Sequence, residues 1–367
     1  MIWYNFSEII KDKTGGNPKL KVSEYLNKGE IPVVDQGKKL ISGFSNNKSL
    51  LYKFTKPLIL FGDHTCIFKY IDFPFILGAD GVKALEAKID IETKYLYYFL
   101  CSARLPDTGY DRHFKYLKRI KIPLPPLETQ QKIAAILDKA DELIQNDKQI
   151  LEKYDQLAQS VFLEMFGDPV TNSMKWNLSK LNELGIWKSG GTPSRQIAEY
   201  FNGDIPWLTS GELENIYTFE SIEQICEQAI RESSAKLIEK DSLLLGMYDT
   251  AALKSTINKV ECSCNQAIAF AKLDNKKANT VFVYYFIQFG KDFLRRMQRG
   301  VRQKNMNLSM IKNLQIFLPP IELQNRFAEI IKQIETQKQV ACQSLQKSEE
   351  LFRGLLQGVF RGELINE

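Results

Sequence analysis

The segment Leu124-Pro125-Pro126-Leu127-Glu128, completed by Gln130, recurs at one fixed offset as Leu318-Pro319-Pro320-Ile321-Glu322, completed by Gln324. Each copy opens a long amphipathic stretch. This recurrence constrains the fold more than any other feature, because a duplicated half must repeat its architecture. A weaker echo lies upstream: Gly15-Gly16-Asn17-Pro18 answers Gly190-Gly191-Thr192-Pro193, and Ile31-Pro32 answers Ile205-Pro206. The helical parts are alike and the globular parts have drifted apart, a pattern that suits two different readers held by a common frame. It points to recognition before catalysis.

After the first Pro-Pro pair, apolar residues recur at Ile133, Ile136, Leu137, Ala140, Leu143, Ile144, Ile150, Leu151, Tyr154, Leu157, Val161 and Met165, with helical spacing along one stripe. Gly167-Asp168-Pro169 ends it. A helix over Glu128–Phe166 is about 58 Å long at about 1.5 Å per residue and needs a partner along most of its length. Phe327, Ile330, Ile331, Ile334, Ala341, Leu345, Leu351, Phe352, Leu355 and Val359 supply a matching stripe that closes near Arg361-Gly362. An antiparallel pair, with a domain at each end and an approximate internal twofold axis, buries both stripes. The alternative, each helix lying on its own domain, leaves much of both stripes exposed. The seam and partner-docking candidates are Ile133, Leu137, Ile144, Leu151 and Leu157 on the first helix and Phe327, Ile331, Leu345 and Phe352 on the second.

The 367 residues suit two domains plus long helices. The expected division is a first recognition domain at 1–121, a helical region at 122–169, a second recognition domain at 170–315 and a helical region at 316–367. Leu58-Ile59-Leu60-Phe61 and Phe73-Pro74-Phe75-Ile76-Leu77 read as strands. Leu243 to Met247 reads as a buried strand entering a loop, and Asn265-Gln266 as a polar corner leading into another. The aromatic blocks at Tyr95–Leu100 and Val283–Ile287 fit helix or strand, and neither alternates with basic residues, so both are assigned to cores. The expected fold class is thus α/β (α+β): two globular domains joined by two long antiparallel coiled-coil helices.

No window approaches the roughly 18 uninterrupted apolar residues of a membrane span, and the N-terminus lacks the pattern of a signal peptide. Six unpaired-looking cysteines argue against a disulfide framework and for a cytoplasmic protein. Cys262 and Cys264 lack nearby histidine ligands for zinc and read as strand thiols.

The net charge of +5 permits a polyanionic partner, and its distribution says more. Five cations lie among amides between Arg295 and Asn305, and Arg112 to Arg119 stands at the matching place before the first Pro-Pro pair. Recurrence favours a phosphate-contacting surface over a merely solvated face.

Enzymatic readings fare poorly. Base methylation needs a glycine-rich cofactor loop and an Asn/Asp-Pro-Pro-aromatic motif, and neither occurs. There is no P-loop. Asp63 and Asp249 sit in turn-rich segments without a paired partner, and two unmatched histidines offer no repeated base. No cofactor and no metal are expected.

The repeated Pro-Pro-x-x-x-Gln segments, the Met165-Phe166-Gly167-Asp168-Pro169 junction, the Ser189-Gly190-Gly191-Thr192-Pro193 loop and the Asn265-Gln266 corner, in this order, resemble the specificity subunits of type I restriction-modification systems. The resemblance covers nearly the whole chain. It implies a noncatalytic subunit with two target-recognition domains, each reading half of a split, asymmetric duplex sequence. It also implies helices that act as ruler and as dock for methyltransferase subunits, two in number, with a restriction or translocating subunit as a further possible partner. The first half departs from the pattern at Gly15-Gly16-Asn17-Pro18 and at Ala79-Asp80-Gly81.

Reading base edges calls for amide, guanidinium or hydroxyl groups. The candidates are Asn17, Gln36, Lys38, His64, Arg112 and His113 in the first domain, and Thr192, Ser194, Arg195, Ser210, Tyr248, Arg299, Arg302, Gln303 and Asn305 in the second. The rival class is a noncatalytic helical scaffold linking two protein- or RNA-binding domains, which predicts no preference for a split duplex site.

Overall fold

The computed structural model describes residues 2–79, 81–106, 111–248, 252–297 and 305–361, with positions 295–297 and 361 described by backbone alone. The chain opens with β1 (Ile2–Asn5), the single turn α1 (Phe6–Ile9) and β2 (Ile10–Asp12). It continues through β3 (Ile31–Val34), β4 (Gly43–Ser45), β5 (Leu58–Gly62), β6 (Phe68–Ile71), β7 (Ile76–Leu77) and β8 (Val82–Ala87). Helices α2 (Thr93–Ser102) and α3 (Phe114–Leu117), strand β9 (Lys121–Leu124) and the long α4 (Leu127–Phe166) complete the half.

The second half runs β10 (Asn177–Lys180), α5 (Leu181–Leu184), β11 (Lys188–Ser189), β12 (Ile205–Leu208), β13 (Tyr217–Thr218), β14 (Glu223–Ile225) and α6 (Glu227–Glu232). It then runs β15 (Leu243–Gly246), β16 (Ser255–Asn258), β17 (Ser263–Cys264), β18 (Ile268–Ala271), α7 (Thr280–Met297), α8 (Leu308–Lys312), β19 (Gln315–Leu318) and α9 (Ile321–Arg361).

The two halves share one sheet plan. In the first, β2-β8-β5-β6 form the larger sheet and β4-β3-β7 the smaller; in the second, β11-β18-β15-β16 repeat the larger, extended by β13, and β14-β12-β17 repeat the smaller. Strand β3 pairs antiparallel with β4 and parallel with β7, and β12 does the same with β14 and β17. Alternation along the central strand divides the core into layers. Ile59 and Phe61 face the helices while Leu58 and Leu60 face the small sheet; Leu243 and Leu245 divide from Leu244 in the same way. Each globular domain is therefore a three-layer stack of helix, large sheet and small sheet. Both aromatic blocks resolve as helices, α2 and α7, with their rings in the cores. Of the strand expected over Phe73–Leu77, only Ile76–Leu77 forms. Phe75 instead turns inward and stacks on Tyr52, with ring centroids 5.1 Å apart.

The chain forms two compact units: residues up to 149 together with residues from 342, and residues 150–341. Each long helix contributes to both. In the first unit Ser348 Oγ donates to Asp147 Oδ2 at 2.7 Å, while Leu137 shares a core with Val359, so numbers rise on α4 as they fall on α9. In the second unit Lys338 Nζ meets Asp155 Oδ1 at 2.6 Å and Phe166 meets Phe327 at 5.4 Å, again antiparallel. The expected seam is real but not purely helix against helix. Ile133 and Leu137 belong to the core containing Tyr95 and Phe99, and Phe327 and Ile331 to that containing Phe282 and Phe286. Burying side chains of this size contributes about 1.5–3 kcal/mol each, so the N-terminal end of each long helix is anchored to the domain that precedes it.

The repeated glutamine explains itself here. Gln130 and Gln324 are 2% and 0% exposed. Gln130 Nε2 donates to Pro125 O at 2.8 Å, and its Oε1 accepts Glu92 N at 2.9 Å; Gln324 donates to Pro319 O and accepts Asn279 N at the same two distances. One side chain thus ties the Pro-Pro approach of each long helix to the start of each aromatic helix. Leucine before proline is held extended, which suits the ends of β9 and β19. A second tie follows in each unit, Tyr98 Oη to Asp138 Oδ1 at 2.7 Å and Tyr285 Oη to Glu335 Oε1 at 3.2 Å.

Candidate nucleic-acid interface

At one end of each three-layer stack, the loops leaving the central strands gather into a rim, and the same ladder of backbone bonds builds it twice. Gly78 N donates to Val34 O at 2.8 Å, as Asn265 N donates to Leu208 O at 3.0 Å. Asp63 N donates to Gly81 O at 2.6 Å, as Met247 N donates to Ala267 O at 2.8 Å. His113 N donates to Asp63 O at 2.8 Å, as Met306 N donates to Met247 O at 2.7 Å. Through these bonds Gln36 occupies the position of Ser210, His64 that of Tyr248, and Arg112 that of Asn305. The registers of Asp12 with Leu85 and Lys188 with Phe270, set against those of Gly62 with Val82 and Gly246 with Ile268, likewise align Asn17 with Thr192. Eight residues chosen from sequence thus form four equivalent pairs.

In the second domain the rim is clenched. Thr192 Oγ1 donates to Gln266 Oε1, joining the Gly-Gly-Thr-Pro loop to the Asn-Gln corner. Gly190 N reaches Ile268 O at 3.0 Å and Gly191 N reaches Cys264 O at 2.9 Å. A methyl group on Gly190 would lie 2.2 Å from Cys264 O, and one on Gly191 would lie 2.1 Å from Ser234 O, so only glycine permits this approach. Asn265 is structural, its Oδ1 accepting Ala267 N at 3.0 Å. Ser194 is exposed and accepts Gln196 N; Tyr248 and Asn305 are exposed, and Ser210 is half-buried. Arg195 is committed within the protein: its Nη2 donates to Glu223 Oε2 at 2.7 Å, its Nη1 to Glu223 Oε1, and its guanidinium lies 4.3 Å over Phe201. This pairing holds the Glu223 carboxyl below, and the guanidinium above, its ordinary range. Its fork is not available to a base edge without breaking that pair.

In the first domain Gln36 Oε1 accepts His64 N at 3.3 Å, Gln36 O accepts Thr65 Oγ1 at 2.6 Å, and His64 Nδ1 meets Asp111 O at 3.2 Å. Lys115 donates to the Asp111 carboxylate and holds it down to about 2. Arg112 and Lys38 are exposed. Asn17 is half-buried, with its amide donated to Lys13 O at 2.8 Å. His113 departs from expectation: it is 4% exposed, with Nδ1 3.2 Å from Asp63 O. It cannot face a duplex where it stands, because the rim bond from its own backbone draws it inward. Asp63 is buried as well, its Oδ1 accepting Phe114 N at 2.7 Å at the start of α3.

Arg299, Arg302, Gln303 and Asp249 lie outside the described residues. Sequence reading passes over Thr65, Lys69 and Glu212, which hold the rim, and reads Gln266 only as part of the Asn-Gln corner, not as a site residue. Cys262 and Cys264 are buried thiols, and burial pushes Cys262 up to about 12. Among the described residues no group of histidine, cysteine and carboxylate is placed to hold a metal ion, and no helix is long and apolar enough to cross a membrane.

The docking candidates separate by exposure. Ile133, Leu137, Ile144, Phe327 and Ile331 are buried within the chain, and Leu151, Leu345 and Phe352 are half-buried. Burial removes the first five from any external dock. Leu157 is exposed, and with Ile136, Leu143 and Ile150 it forms a series at seven-residue intervals on α4, each 41–49% exposed.

Two copies of one recognition fold, each tied by a buried glutamine to a long helix, define a duplicated specificity protein. Residues 4–154 and 174–351 match the type I restriction modification DNA specificity domain, and the chain belongs to that family. It is 28% identical over 388 aligned residues to the EcoR124I/EcoR124II specificity subunit of Escherichia coli, spanning 96% of this chain and 93% of that one. It is 25% identical over 373 residues to the MjaIX specificity subunit of Methanocaldococcus jannaschii, spanning 89% and 86%. Among solved structures, the S subunit of the type I restriction-modification system of M. genitalium superposes with a TM-score of 0.59 at 16% identity, over 97% of this chain and 94% of that one. A chain from a study of assembly and conformational transition of the type I system gives 0.54 at 15% identity, over 99% and 98%. These structural likenesses establish the shared fold.

Proposed function

We propose that this chain is the noncatalytic DNA reader of a cytoplasmic type I restriction-modification complex, each domain reading one half of a bipartite, asymmetric duplex site. The observation that carries the reading is the twice-built rim: one backbone frame presents Asn17, Gln36, His64 and Arg112 in one domain and Thr192, Ser210, Tyr248 and Asn305 in the other. A common frame with different side chains is what two unlike half-sites require. Lys38, Arg299 and Arg302 supply phosphate contacts, and Gln303 a base contact. Of the groups weighed for chemistry, Asp63 is spent on capping α3 and His113 on the rim.

Helices α4 and α9, each about 60 Å long at about 1.5 Å per residue, set the half-site spacing and dock two methyltransferase subunits. The exposed Ile136 and Leu143 in the first unit's part of α4, and Ile150 and Leu157 in the second's, give partner subunits apolar side chains to cover, one per two helical turns. Selection from a randomised duplex library, with the methyltransferase bound, tests the reading. Two defined half-sites at one spacing are expected, and exchange of residues 170–315 for those of a relative changes one half-site only. Simultaneous change of both would refute independent reading.

A further inference from the structure

Two half-buried rim residues, Gln36 and Ser210, stand on the loop that leaves the central strand of each small sheet, and in both domains a single carboxylate gathers that loop. In the first domain the loop leaves β3 at Asp35 and returns at Ser42. Asp35 Oδ1 accepts Gly37 N at 2.8 Å and Ser42 Oγ at 2.5 Å, and its Oδ2 accepts Tyr25 Oη at 3.3 Å. Tyr25 in turn accepts Ala79 N at 3.0 Å, which ties in the neighbouring rim loop. Beneath lies Lys69 of β6, 4% exposed, whose ammonium donates to Asp35 O at 2.7 Å and also to Lys39 O. These two carbonyls bracket Gln36, Gly37 and Lys38. The same ammonium sits 4.0 Å from the Asp35 carboxylate.

The second domain reaches the same end by other residues. The loop leaving β12 begins at Thr209, and Glu212 Oε2 accepts both Thr209 N at 2.8 Å and Thr209 Oγ1 at 2.7 Å. Glu212 Oε1 accepts Ile222 N at 2.8 Å from the far side of the loop. Ser210 stands between these bonds at the position that Gln36 holds in the first domain.

A buried lysine is costly to desolvate, and a carboxylate that accepts two bonds from its loop, as Asp35 does, or three, as Glu212 does, restricts that loop to one conformation. Neither expense is needed to complete a core. We infer that the Asp35–Lys69 pair and Glu212 are positioning residues for specificity: they hold Gln36 and Ser210 in the geometry that base reading demands, each for its own half-site. This rests on the proposed reading of a bipartite duplex. Preorganised polar groups discriminate because a mismatched base leaves them unpaired, whereas a loose loop can adapt to several bases.

The test uses the full chain with its methyltransferase partner and a randomised duplex library, comparing the unaltered protein with Lys69→Met, Asp35→Asn and Glu212→Ala. Lys69→Met and Asp35→Asn should each reduce base discrimination within the first half-site by about tenfold, leave the second half-site unchanged, and leave the salt dependence of binding unchanged. Glu212→Ala should do the reverse. Amide exchange at residues 36–40 or at 210–214 should accelerate in the matching variant, which separates loosening of the loop from loss of the domain. If Lys69→Met fails to fold, Asp35→Asn and Glu212→Ala decide the matter. Retained discrimination at both half-sites in folded variants, or equal loss at both, overturns the inference. An unaltered protein that selects no split site overturns the underlying reading and the inference with it.

Discussion

Replacing Gly190 by alanine tests the rim at its tightest point, and Gly15 provides the control at the equivalent position of the other domain. The added methyl group of Gly190→Ala would lie 2.2 Å from Cys264 O and 2.4 Å from Asn265 O. Carbon and oxygen tolerate about 3.3 Å, so the loop must retreat by about 1 Å. Such a retreat breaks the bond from Gly190 N to Ile268 O, now 3.0 Å, and that from Gly191 N to Cys264 O, now 2.9 Å. Two lost bonds cost about 1 kcal/mol each and overpacking about 1–3 kcal/mol more, giving roughly 3–5 kcal/mol for the second unit. Gly15 has no atom within 4 Å of the same added carbon, and its backbone is not in the left-handed region. Gly15→Ala should be neutral or stabilising by a few tenths of a kcal/mol, through the unfolded chain. Urea unfolding followed by circular dichroism measures both, and half-site selection should show the second half-site lost in Gly190→Ala alone. Equal costs for the two variants, or a neutral Gly190→Ala, would refute the assignment of the Gly-Gly loop as a sterically enforced part of the rim.

Gln324→Leu strands Asn279 N and Pro319 O in the core and should cost about 2–4 kcal/mol, seen as faster amide exchange at the start of α7. Unchanged protection there would remove the glutamine tie. Leu137→Glu buries a charge in the first unit's core and should unfold that unit, whereas Leu143→Glu, on the exposed series of α4, should leave stability alone and abolish methyltransferase co-purification. Co-purification retained by Leu143→Glu would exclude the series as a dock. Arg299→Ala should weaken binding across sequences and flatten its salt dependence by about one unit, and a change of base preference instead would contradict a phosphate role. Burial pushes Cys262 up to about 12 and Cys264 higher, so at pH 8 both stay protonated and should resist alkylation that labels exposed Cys342 quickly, as mass spectrometry of the native protein will show.

What could be read from sequence was local and periodic. The Pro-Pro-x-x-x-Gln repeat announced the duplication, and helical spacing located α4 and α9, because a 3.6-residue period survives drift in everything around it. The Asn-Gln corner and the Gly-Gly-Thr-Pro loop were recognisable as turns. That the two loops meet, through Thr192 and Gln266, was not. The choice of helix over strand for Tyr95–Leu100 was likewise undecidable, since a short apolar block fits either until the sheet it covers is known.

Tertiary structure decided the rest by bringing distant segments together. His113 looks like a member of an exposed basic run, yet a backbone bond to Asp63 turns it into the core. Arg195 looks free until Glu223 arrives from another strand. One stripe on α4 divides into a face buried at Ile133 and Leu137 and a face open at Ile136 and Leu143. Spacing identifies both as apolar, but only packing determines which side meets the protein's own core. The equivalence of His64 with Tyr248 and of Arg112 with Asn305 has no trace in residue identity. It resides in backbone hydrogen bonds, which a diverging sequence preserves without spelling out.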